Sequence, residues 1–392
     1  MRDPGKRTSR PGTPAIRKLV PPLLAWFATN ARDLPWRNTR DPYAIWVSEI
    51  MLQQTQVNTV IPYWERWLGE LPTIESAAKA SDAKLHKLWE GLGYYTRVRN
   101  LQRAAREIVA QHNGKFPENY DHILALPGIG RYTAGAIASI AFNQPQALLD
   151  GNVIRVLTRI FGITSDPRAK QTNAQLWELA EQLVHFAAHA TSESRPCSQL
   201  NQSLMELGAL VCSPRSPDCG ACPVMRFCVA HRRGLQEKLP KLARRASATP
   251  RRFVAFVIES KGKFLVCQRP AGVVNAHLWE LPSTEISTSQ RPARRISTPR
   301  LAKLAMETTG LSGLRLAGDK PLCTIRHSIT RYRITLEAWL MLCTPSAKVS
   351  APTRRAHWLS RRQLRSRAFT SAHRRILALT ESLGHWQSGP RD

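Results

Sequence analysis

Four cysteines near the middle of the chain place the strongest constraint on its fold. They are Cys212, Cys219, Cys222 and Cys228, in the spacing C-x6-C-x2-C-x5-C. Four thiolates in so short a segment favour one tetrathiolate centre, which holds either a structural zinc ion or an iron–sulfur cluster. Free or disulfide-bonded cysteines are the alternative. We disfavour it because the other cysteines are scattered and no secretory signal is visible. The spacing alone leaves zinc and iron open.

The length and charge of the chain bound its organisation and its partners. A chain of 392 residues is too long for one compact core and predicts two or three domains. No apolar run approaches the roughly 18 residues of a membrane span. The formal net charge is +29, and binding to a polyanion, most often nucleic acid, relieves such a surplus. An arginine-rich proteome is the alternative explanation, so the charge supports a nucleic-acid partner but does not establish one.

The apolar patterns divide the chain into segments. Residues 1–15 are basic and proline-containing, which predicts a disordered tail. Residues 16–235 show helical periodicity, including a helix expected over 44–57, and form a predicted helical domain. Residues 236–251 are polar and aperiodic, which indicates a linker. Residues 252–385 mix strand-like alternation with helical segments and predict a separate α+β domain.

A glycine-containing loop stands between two expected helices. The segment Leu126-Pro-Gly-Ile-Gly-Arg-Tyr-Thr-Ala-Gly-Ala contains Gly128 and Gly130. Glycines let the backbone approach a ligand closely, and the amides at the start of the second helix favour a phosphate. A simple helix connector is the alternative. With its neighbouring small residues, the segment resembles the helix-hairpin-helix motif of DNA repair glycosylases.

Two carboxyl groups stand at informative places in the helical pattern, and one of them is a candidate for acid–base chemistry. On a helix, Glu49 shares a face with Ile45, Trp46 and Leu52, and an apolar setting should raise the pKa of its carboxyl group. A general acid that works near neutral pH needs such a pKa. The alternative for Glu49 is the edge of an amphipathic stripe. Asp150 precedes a periodic apolar run, and its position alone favours an ordinary helix N-cap.

Several motifs in register carry a resemblance to one family. The chain resembles adenine DNA glycosylases of the MutY type over roughly residues 20–235, and more loosely beyond them. The segments that carry the resemblance are LPW at Leu34 to Trp36, SEIMLQQTQV, GLGYYTRVRNL, the glycine loop, LDGNVIRV, NQSLMELGALVC and the cysteine loop.

The resemblance implies a fold and a cofactor. The fold is a mostly α helix-hairpin-helix glycosylase fold with an iron–sulfur cluster loop, followed by an α+β Nudix-like C-terminal domain. In this family a loop of four cysteines binds a [4Fe-4S] cluster, so the resemblance selects iron over zinc at Cys212, Cys219, Cys222 and Cys228. The cluster is structural in this family and orders a DNA-facing loop.

The resemblance also implies an activity with named residues. The family removes adenine opposite 8-oxo-7,8-dihydroguanine (8-oxoguanine), and less efficiently opposite guanine, after the nucleotide is flipped out of the duplex. Glu49 matches the general acid, and ionised Asp150 matches the group that stabilises the oxocarbenium-like state. The supporting positions are Tyr132 and Asn152 beside the carboxyls; Trp36, Arg37 and Gln202 in the adenine pocket; and Gln54 with the wedge residue Tyr94 near the lesion pair.

Tyr132 separates two related activities. Endonuclease III-like enzymes place a lysine here, which forms a Schiff base and cleaves the DNA backbone. A phenol cannot form that imine, so the resemblance implies a monofunctional enzyme that leaves an abasic site. Ordinary helix packing is the alternative role for Tyr94 and its neighbours Tyr95 and Trp89.

The C-terminal domain resembles the Nudix-like domain of this family, but it departs from a working Nudix hydrolase at one helix and from the family at one loop. A metal-binding Nudix helix needs several carboxylates, whereas here Glu307 and Gly310 remain and the other acids are missing. We therefore expect no pyrophosphatase activity and no metal there. The lesion-reading loop usually carries Phe-Ser-His, whereas this chain carries Ile329-Thr330-Arg331. Thr330 is expected to supply the hydroxyl.

Two other functions remain as alternatives. One is a bifunctional endonuclease III-like glycosylase/AP lyase, and the other is a non-catalytic DNA-binding protein stapled by a metal. The expected partner is duplex DNA with adenine opposite 8-oxoguanine or guanine. We expect a monomer in the cytoplasm, associated with a bacterial nucleoid and lacking a secretion signal.

Overall fold

The computed structural model describes residues 13–190, 193–243, 247–287, 296–343 and 356–382. These residues form two compact units. The first contains residues 13–80 and 99–243, and the second contains residues 81–98 and 247–382. Most of the predicted tail and the last residues of the predicted C-terminal domain lie outside the described residues. No helix in the described ranges is long and apolar enough to cross a membrane.

The first part of the chain is helical. Two short 3₁₀ helices, Pro35–Arg37 and Met225–Phe227, accompany the α-helices. The α-helices in chain order are α1 (Thr13–Asn30), α2 (Pro42–Leu52), α3 (Val57–Glu70), α4 (Ile74–Lys79), α5 (Asp82–Leu88), α6 (Thr96–Gln111), α7 (Tyr120–Ala125), α8 (Arg131–Ile140), α9 (Gly151–Ile160), α10 (Lys170–Ala190), α11 (Pro196–Leu210) and α12 (Val229–Arg232).

Helix α11 forms the centre of the first unit. It begins with Pro196 in its first turn, where a missing N–H costs nothing, and it packs against α1, α8, α9 and α10. Most of its side chains are buried, as expected for a helix that is surrounded by other helices. It ends at Leu210, just before Cys212, so one helix leads from the middle of the unit to the cysteine loop.

The expectation of one helix over residues 44–57 was wrong. Helix α2 ends at Leu52, and α3 begins at Val57. Between them Gln54 adopts a φ of 59°, and the Thr55 N–H bonds the Leu52 carbonyl over 3.2 Å. A left-handed residue cannot continue a right-handed helix. Residues 53–56 therefore form a tight turn at the end of the helix that carries Glu49.

The second unit is built around a mixed sheet. In the described residues the sheet has the order β3-β2-β1-β7-β5, with β4 paired to β1, β6 to β7 and β8 to β2. Strands β1 and β7 run parallel from Thr249↔Tyr332 to Glu259↔Leu342, and the other pairs are antiparallel. The elements are β1 (Thr249–Ser260), β2 (Lys263–Gln268), β3 (Trp279–Glu280), β4 (Ser283–Ser287), α13 (Thr298–Thr309), β5 (Leu314–Leu316), β6 (Cys323–Ile329), β7 (Tyr332–Cys343), β8 (Ala356–Ser360), α14 (Arg361–Ser366) and α15 (Ser371–Ser382).

Strand β1 is buried on both of its faces. Ala255 and Val257 pack on the side covered by α15, whereas Val254, Phe256 and Ile258 pack on the side covered by α13. Adjacent side chains of a strand point to opposite faces, so a continuous apolar run indicates a strand with a core on each side. The strand begins at Thr249, inside the segment that the sequence suggested as linker, because the parallel pairing with β7 extends that far.

Candidate active site

A cavity of about 560 Å³ opens in the first unit, and eight of the twelve predicted catalytic and DNA-binding residues line it. Ligand pockets in proteins commonly fall between about 300 and 1,000 Å³. The predicted residues that line this cavity are Trp36, Arg37, Glu49, Gln54, Tyr132, Asp150, Asn152 and Gln202. Residues that are far apart in the sequence thus face one space, and the two candidate carboxyls share it.

Helix α2 places Glu49 in the buried wall of the cavity. Asp41 caps the helix by accepting from the Tyr43 N–H over 3.0 Å, with Pro42 at the first helical position. The Glu49 side chain is 3% exposed and accepts a 2.6 Å hydrogen bond from the Tyr132 hydroxyl at Oε2. Burial raises the pKa of Glu49 to about 7, although the Tyr132 hydrogen bond opposes the shift. A carboxyl group with this pKa can donate a proton near neutral pH.

Asp150 is both a helix cap and a wall of the same cavity. Its Oδ1 accepts from the Val153 N–H over 2.7 Å, which is the N-cap bond of α9, and its Oδ2 accepts from the Asn152 amide over 3.0 Å. Burial raises the pKa of Asp150, while these two bonds and the Arg155 charge lower it. The Asp150 carboxyl group is therefore more buried than the sequence suggested, but its hydrogen-bond donors favour the ionised carboxylate.

A hydrogen-bonded chain runs from Asp150 towards the cysteine loop. The Arg155 guanidinium donates to the Asn152 side-chain oxygen over 2.8 Å and to the Cys212 carbonyl over 2.7 Å. Helix α11 comes close enough for these bonds because Gly208 packs against Asn152, where an added Cβ would lie 2.7 Å from the Asn152 Cβ. Rotation of Asn152 is thereby restricted, which fixes the donor to Asp150.

Sequence reasoning missed a buried acid at the other end of the cavity. Glu206 also lines the cavity and is 1% exposed. It forms ion pairs with Arg32 over 2.7 Å and with Arg37 over 2.9 Å. Burial raises the pKa of Glu206, but the hydrogen bonds from both arginines outweigh that effect and leave it at about 2. The signal in the sequence was its position one helical turn after Gln202, on the same face of α11.

The four cysteines line a second, small cavity in the first unit. None of the four forms a disulfide bond, and the surrounding walls are mostly apolar, with Val156, Leu207 and Met225 among them. The buried Arg159 donates to the Cys212 sulfur over 3.2 Å and to the Ser213 carbonyl over 2.7 Å. In the described residues no group of three or more His, Cys, Asp or Glu could hold a single metal ion. Four cysteine ligands are typical both of structural zinc sites and of iron–sulfur clusters.

The residues expected near the lesion pair share an unusual backbone conformation. Gln54, Tyr94 and Thr330 have φ values of 59°, 47° and 51°, in the left-handed region that side chains rarely adopt. Strained backbone of this kind concentrates at functional sites. Tyr94 is 47% exposed, whereas its neighbours Tyr95 and Trp89 are buried. The packing alternative thus holds for Tyr95 and Trp89 but not for Tyr94.

Residues 81–98 pack with the second unit although they interrupt the helical domain in sequence. Glu90 is responsible for several of the contacts. Its Oε1 accepts from the Phe369 N–H over 2.9 Å and from Arg374 Nε over 2.8 Å, and its other oxygen pairs with Lys87. The segment that presents Tyr94 is therefore fixed to the same unit as the hairpin that carries Thr330.

The glycine loop connects α7 to α8 as predicted. Gly128 has a φ of 79°, and a Cβ there would lie 2.6 Å from the Asn100 side chain. Gly130 precedes α8 in extended conformation, and a Cβ there would meet nothing within 4 Å. The first glycine thus serves the fold, while the second leaves the start of α8 open to a ligand.

The helix that matches the Nudix metal helix is α13. Its remaining acid, Glu307, is exposed and faces Lys303 at 3.9 Å. Gly310 ends the helix with a φ of 70°, so its retention has a structural reason. The absence of metal and of pyrophosphatase activity at this helix stays a prediction.

Comparison with known proteins gives matches over both units. A model described as "HhH-GPD superfamily base excision DNA repair protein" matches residues 47–182, and a NUDIX domain model matches residues 253–379. The adenine DNA glycosylase of Rattus norvegicus is 35% identical over 413 residues, which covers 92% of this chain and 77% of the relative. The adenine DNA glycosylase of Homo sapiens is 35% identical over 408 residues, which covers 90% of this chain and 72% of the relative. A solved structure of a thermostable thymine-DNA glycosylase is 32% identical, with a TM-score of 0.50. The match covers 56% of this chain and 99% of the chain in that structure. The predicted fold class is confirmed.

Proposed function

Because the chain belongs to the adenine DNA glycosylase family, we propose that it excises adenine paired with 8-oxoguanine, and less efficiently adenine paired with guanine. One observation carries the chemistry of this proposal. Glu49 and Asp150 line a single cavity, and burial brings the pKa of Glu49 to about 7. Two carboxyls in different protonation states are what hydrolysis of a glycosidic bond requires.

The reaction begins with adenine flipped into the cavity. Glu49 donates its proton to the base, the bond between the base and the sugar breaks, and its electron pair leaves with adenine. The sugar is then positively charged, and the Asp150 carboxylate stabilises that charge. Glu49, now ionised, takes a proton from the water that adds to the sugar, which regenerates the acid. The products are free adenine and an abasic site.

Side chains around the carboxyls hold them in place. Tyr132 bonds Glu49 and Asn152 bonds Asp150. Trp36, Arg37 and Gln202 line the cavity where adenine enters. Tyr132 occupies the position at which a lysine would attack the sugar, so the enzyme is monofunctional and does not cleave the DNA backbone.

Four cysteines hold the proposed cofactor. Cys212, Cys219, Cys222 and Cys228 line one small cavity, and four thiolates around one space are the ligand set of a [4Fe-4S] cluster. When it is bound, the cluster supplies a structural cross-link and no step of base removal. Arg155 and Arg159 bond the carbonyl of Cys212, so the loop and the site of Asp150 depend on one another.

The C-terminal unit contributes lesion reading in this proposal. Thr330 stands exposed at the turn between β6 and β7, where its hydroxyl donates to the Ile329 carbonyl over 2.7 Å. Tyr94, on the same unit, acts as the wedge that holds the opened stack. The enzyme works as a monomer on duplex DNA, and Gly130 at the start of α8 leaves room for a phosphate.

The test is release of adenine by the full chain from duplexes that contain adenine opposite 8-oxoguanine or opposite guanine. We expect release from both, faster from the first. Thr330→Ala should reduce the ratio between the two rates, whereas Thr324→Ala, an exposed threonine on β6, should leave it unchanged. No release by cluster-loaded wild-type protein would refute the proposal. High-yield trapping of a covalent protein–DNA adduct with borohydride would favour the bifunctional alternative instead.

A further inference from the structure

Glu206 holds two arginines at one side of the active-site cavity. Its carboxylate accepts from the backbone N–H of Arg32 over 3.0 Å and from both arms of the Arg32 guanidinium over 2.7 and 2.8 Å. It also accepts from the Arg37 guanidinium over 3.2 and 2.9 Å. Arg37 in turn donates to the Arg32 carbonyl over 2.8 Å. The three side chains form a closed cluster, here called the Glu206 cluster, with one negative and two positive charges.

The Glu206 cluster faces the same cavity as the general acid. Arg32, Arg37 and Glu206 line it together with Glu49. The positive charge of Arg37 acts on Glu49 and favours its ionised form. The Arg37 side chain is 14% exposed and that of Glu206 is 1% exposed, so water screens their charges poorly.

The other charged groups that act on Glu49 come from two further elements. Tyr132 on α8 donates a hydrogen bond to Glu49, and Asp150 before α9 repels its negative charge. The buried side chains of α3, which also packs against α2, are the uncharged Val60, Trp64 and Trp67. Arg37 is thus the cation that favours ionised Glu49 in this set, and Glu206 is the anion that pairs with Arg37.

We propose that Glu206 is a positioning residue that keeps Glu49 in its acid form, because it neutralises Arg37 and holds the guanidinium in the cluster. This inference rests on the proposed function, in which Glu49 must carry a proton when adenine leaves. Without the Glu206 charge, Arg37 would lose its carboxylate partner in a poorly screened part of the cavity, and ionised Glu49 would be the group that relieves its positive charge. The adenine pocket can therefore contain a cation without removing the proton from its acid.

The experiment compares the pH dependence of single-turnover adenine release by the cluster-loaded full chain and its variants. In Glu206→Gln the cluster gains one unit of positive charge, so the alkaline midpoint should fall by about one pH unit. Release above the midpoint should then be about tenfold slower, while the rate at lower pH changes less. Glu206→Asp keeps the charge and should return the midpoint towards the wild-type value, even where its rate is reduced.

Arg32→Gln tests the same charge argument with the opposite sign. Its side chain is 36% exposed, so the substitution disturbs the fold less, and Arg37 keeps its partner. The cluster loses one positive charge, so the alkaline midpoint should rise above that of the wild type. This variant keeps the inference testable if Glu206→Gln does not fold.

Three outcomes would overturn the inference. In the first, Glu206→Gln keeps the wild-type midpoint and its rate is reduced equally at every pH. In the second, the midpoint of Arg32→Gln lies at or below the wild-type value. In the third, the midpoint of Glu206→Asp is as low as that of Glu206→Gln. Each would assign Glu206 a purely structural role. If the wild-type protein releases adenine but the variants have the same alkaline midpoint as the wild type, only this inference is refuted. Wild-type protein that releases none would refute the proposed function itself.

Discussion

Tyr132 donates its phenolic hydrogen to Glu49 over 2.6 Å, which joins the start of α8 to the buried acid on α2. Burial, followed by the nearby Glu49 charge, raises the pKa of Tyr132 well above its ordinary range. The phenol therefore stays neutral and acts as a donor. Its bond favours ionised Glu49, in opposition to burial. The proton on Glu49 is thus set by a balance of terms, each of which a substitution can change.

Tyr132→Phe removes the bond that favours the ionised form of Glu49. The pKa of Glu49 should rise, and the alkaline limb of single-turnover adenine release should move to higher pH. Tyr43→Phe is the matched control. Tyr43 is a buried tyrosine on α2, the helix that carries Glu49, but its hydroxyl donates to the Leu71 carbonyl. An unchanged limb in Tyr132→Phe would show that the hydrogen bond does not control Glu49.

Wild-type activity should depend on pH through Glu49. The reactive form carries the proton, and the pKa is about 7. Release should therefore be maximal below that value and fall by about tenfold per pH unit above it. The measurement is the single-turnover rate across a pH series with DNA fully bound. A rate that increases through this range would contradict the role of Glu49 as the acid.

Glu49→Gln keeps the shape of the side chain but removes its proton-transfer chemistry. Adenine release should fall by about 100- to 10,000-fold, the usual contribution of a general acid. Binding to the mispaired duplex should persist, because the cavity and the positive net charge of the chain remain. Glu65→Gln, an exposed glutamate on α3, is the control and should keep wild-type rates. Turnover by Glu49→Gln at the wild-type rate would exclude it as the acid.

Asn152→Ala removes one of the donors that keep Asp150 ionised. A hydrogen bond to a charged group contributes about 1.5–3 kcal/mol, so release should slow by roughly 10- to 100-fold. The pKa of Asp150 should rise further, which moves the acid limb of the pH profile towards neutral pH. A slower rate with an unshifted acid limb would indicate instead that Asn152 acts on geometry alone.

Cys222→Ser should remove the proposed cluster. Elemental analysis of the purified protein should show iron and acid-labile sulfide in the wild type and their loss in this variant. Cys197→Ser is the control, since Cys197 is buried on α11 outside the cysteine loop, and it should retain both. Zinc in the wild-type protein, with no iron, would contradict the proposed cofactor.

Several elements could be predicted because their cause is local. Gly128 in the loop between two helices adopts a positive φ, Pro42 stands at the first position of α2, and the residues after 252 form strands and helices. The break at Gln54 was missed because tertiary structure stabilises a left-handed residue that the local pattern does not indicate. Glu206 was missed for a related reason, since nothing near it in the sequence shows that two arginines from another segment surround it.

The location of residues 81–98 could not be predicted from the sequence either. Their helical periodicity was visible, but their assignment to the second unit depends on Glu90 bonding Phe369 and Arg374, which lie far away in the chain. Motif resemblance named Tyr94 as the wedge, and only the folded chain shows it exposed while Tyr95 is buried.

The sequence by itself determined the family and the fold class, because short motifs and apolar periodicity are written along the chain. The tertiary structure alone decided that Glu49 and Asp150 share one cavity and that Glu49 is buried enough to hold a proton near neutral pH. Burial and charge depend on distances between segments that sequence order does not specify. Protonation of the acid is therefore a property of the assembled site and not of any single motif.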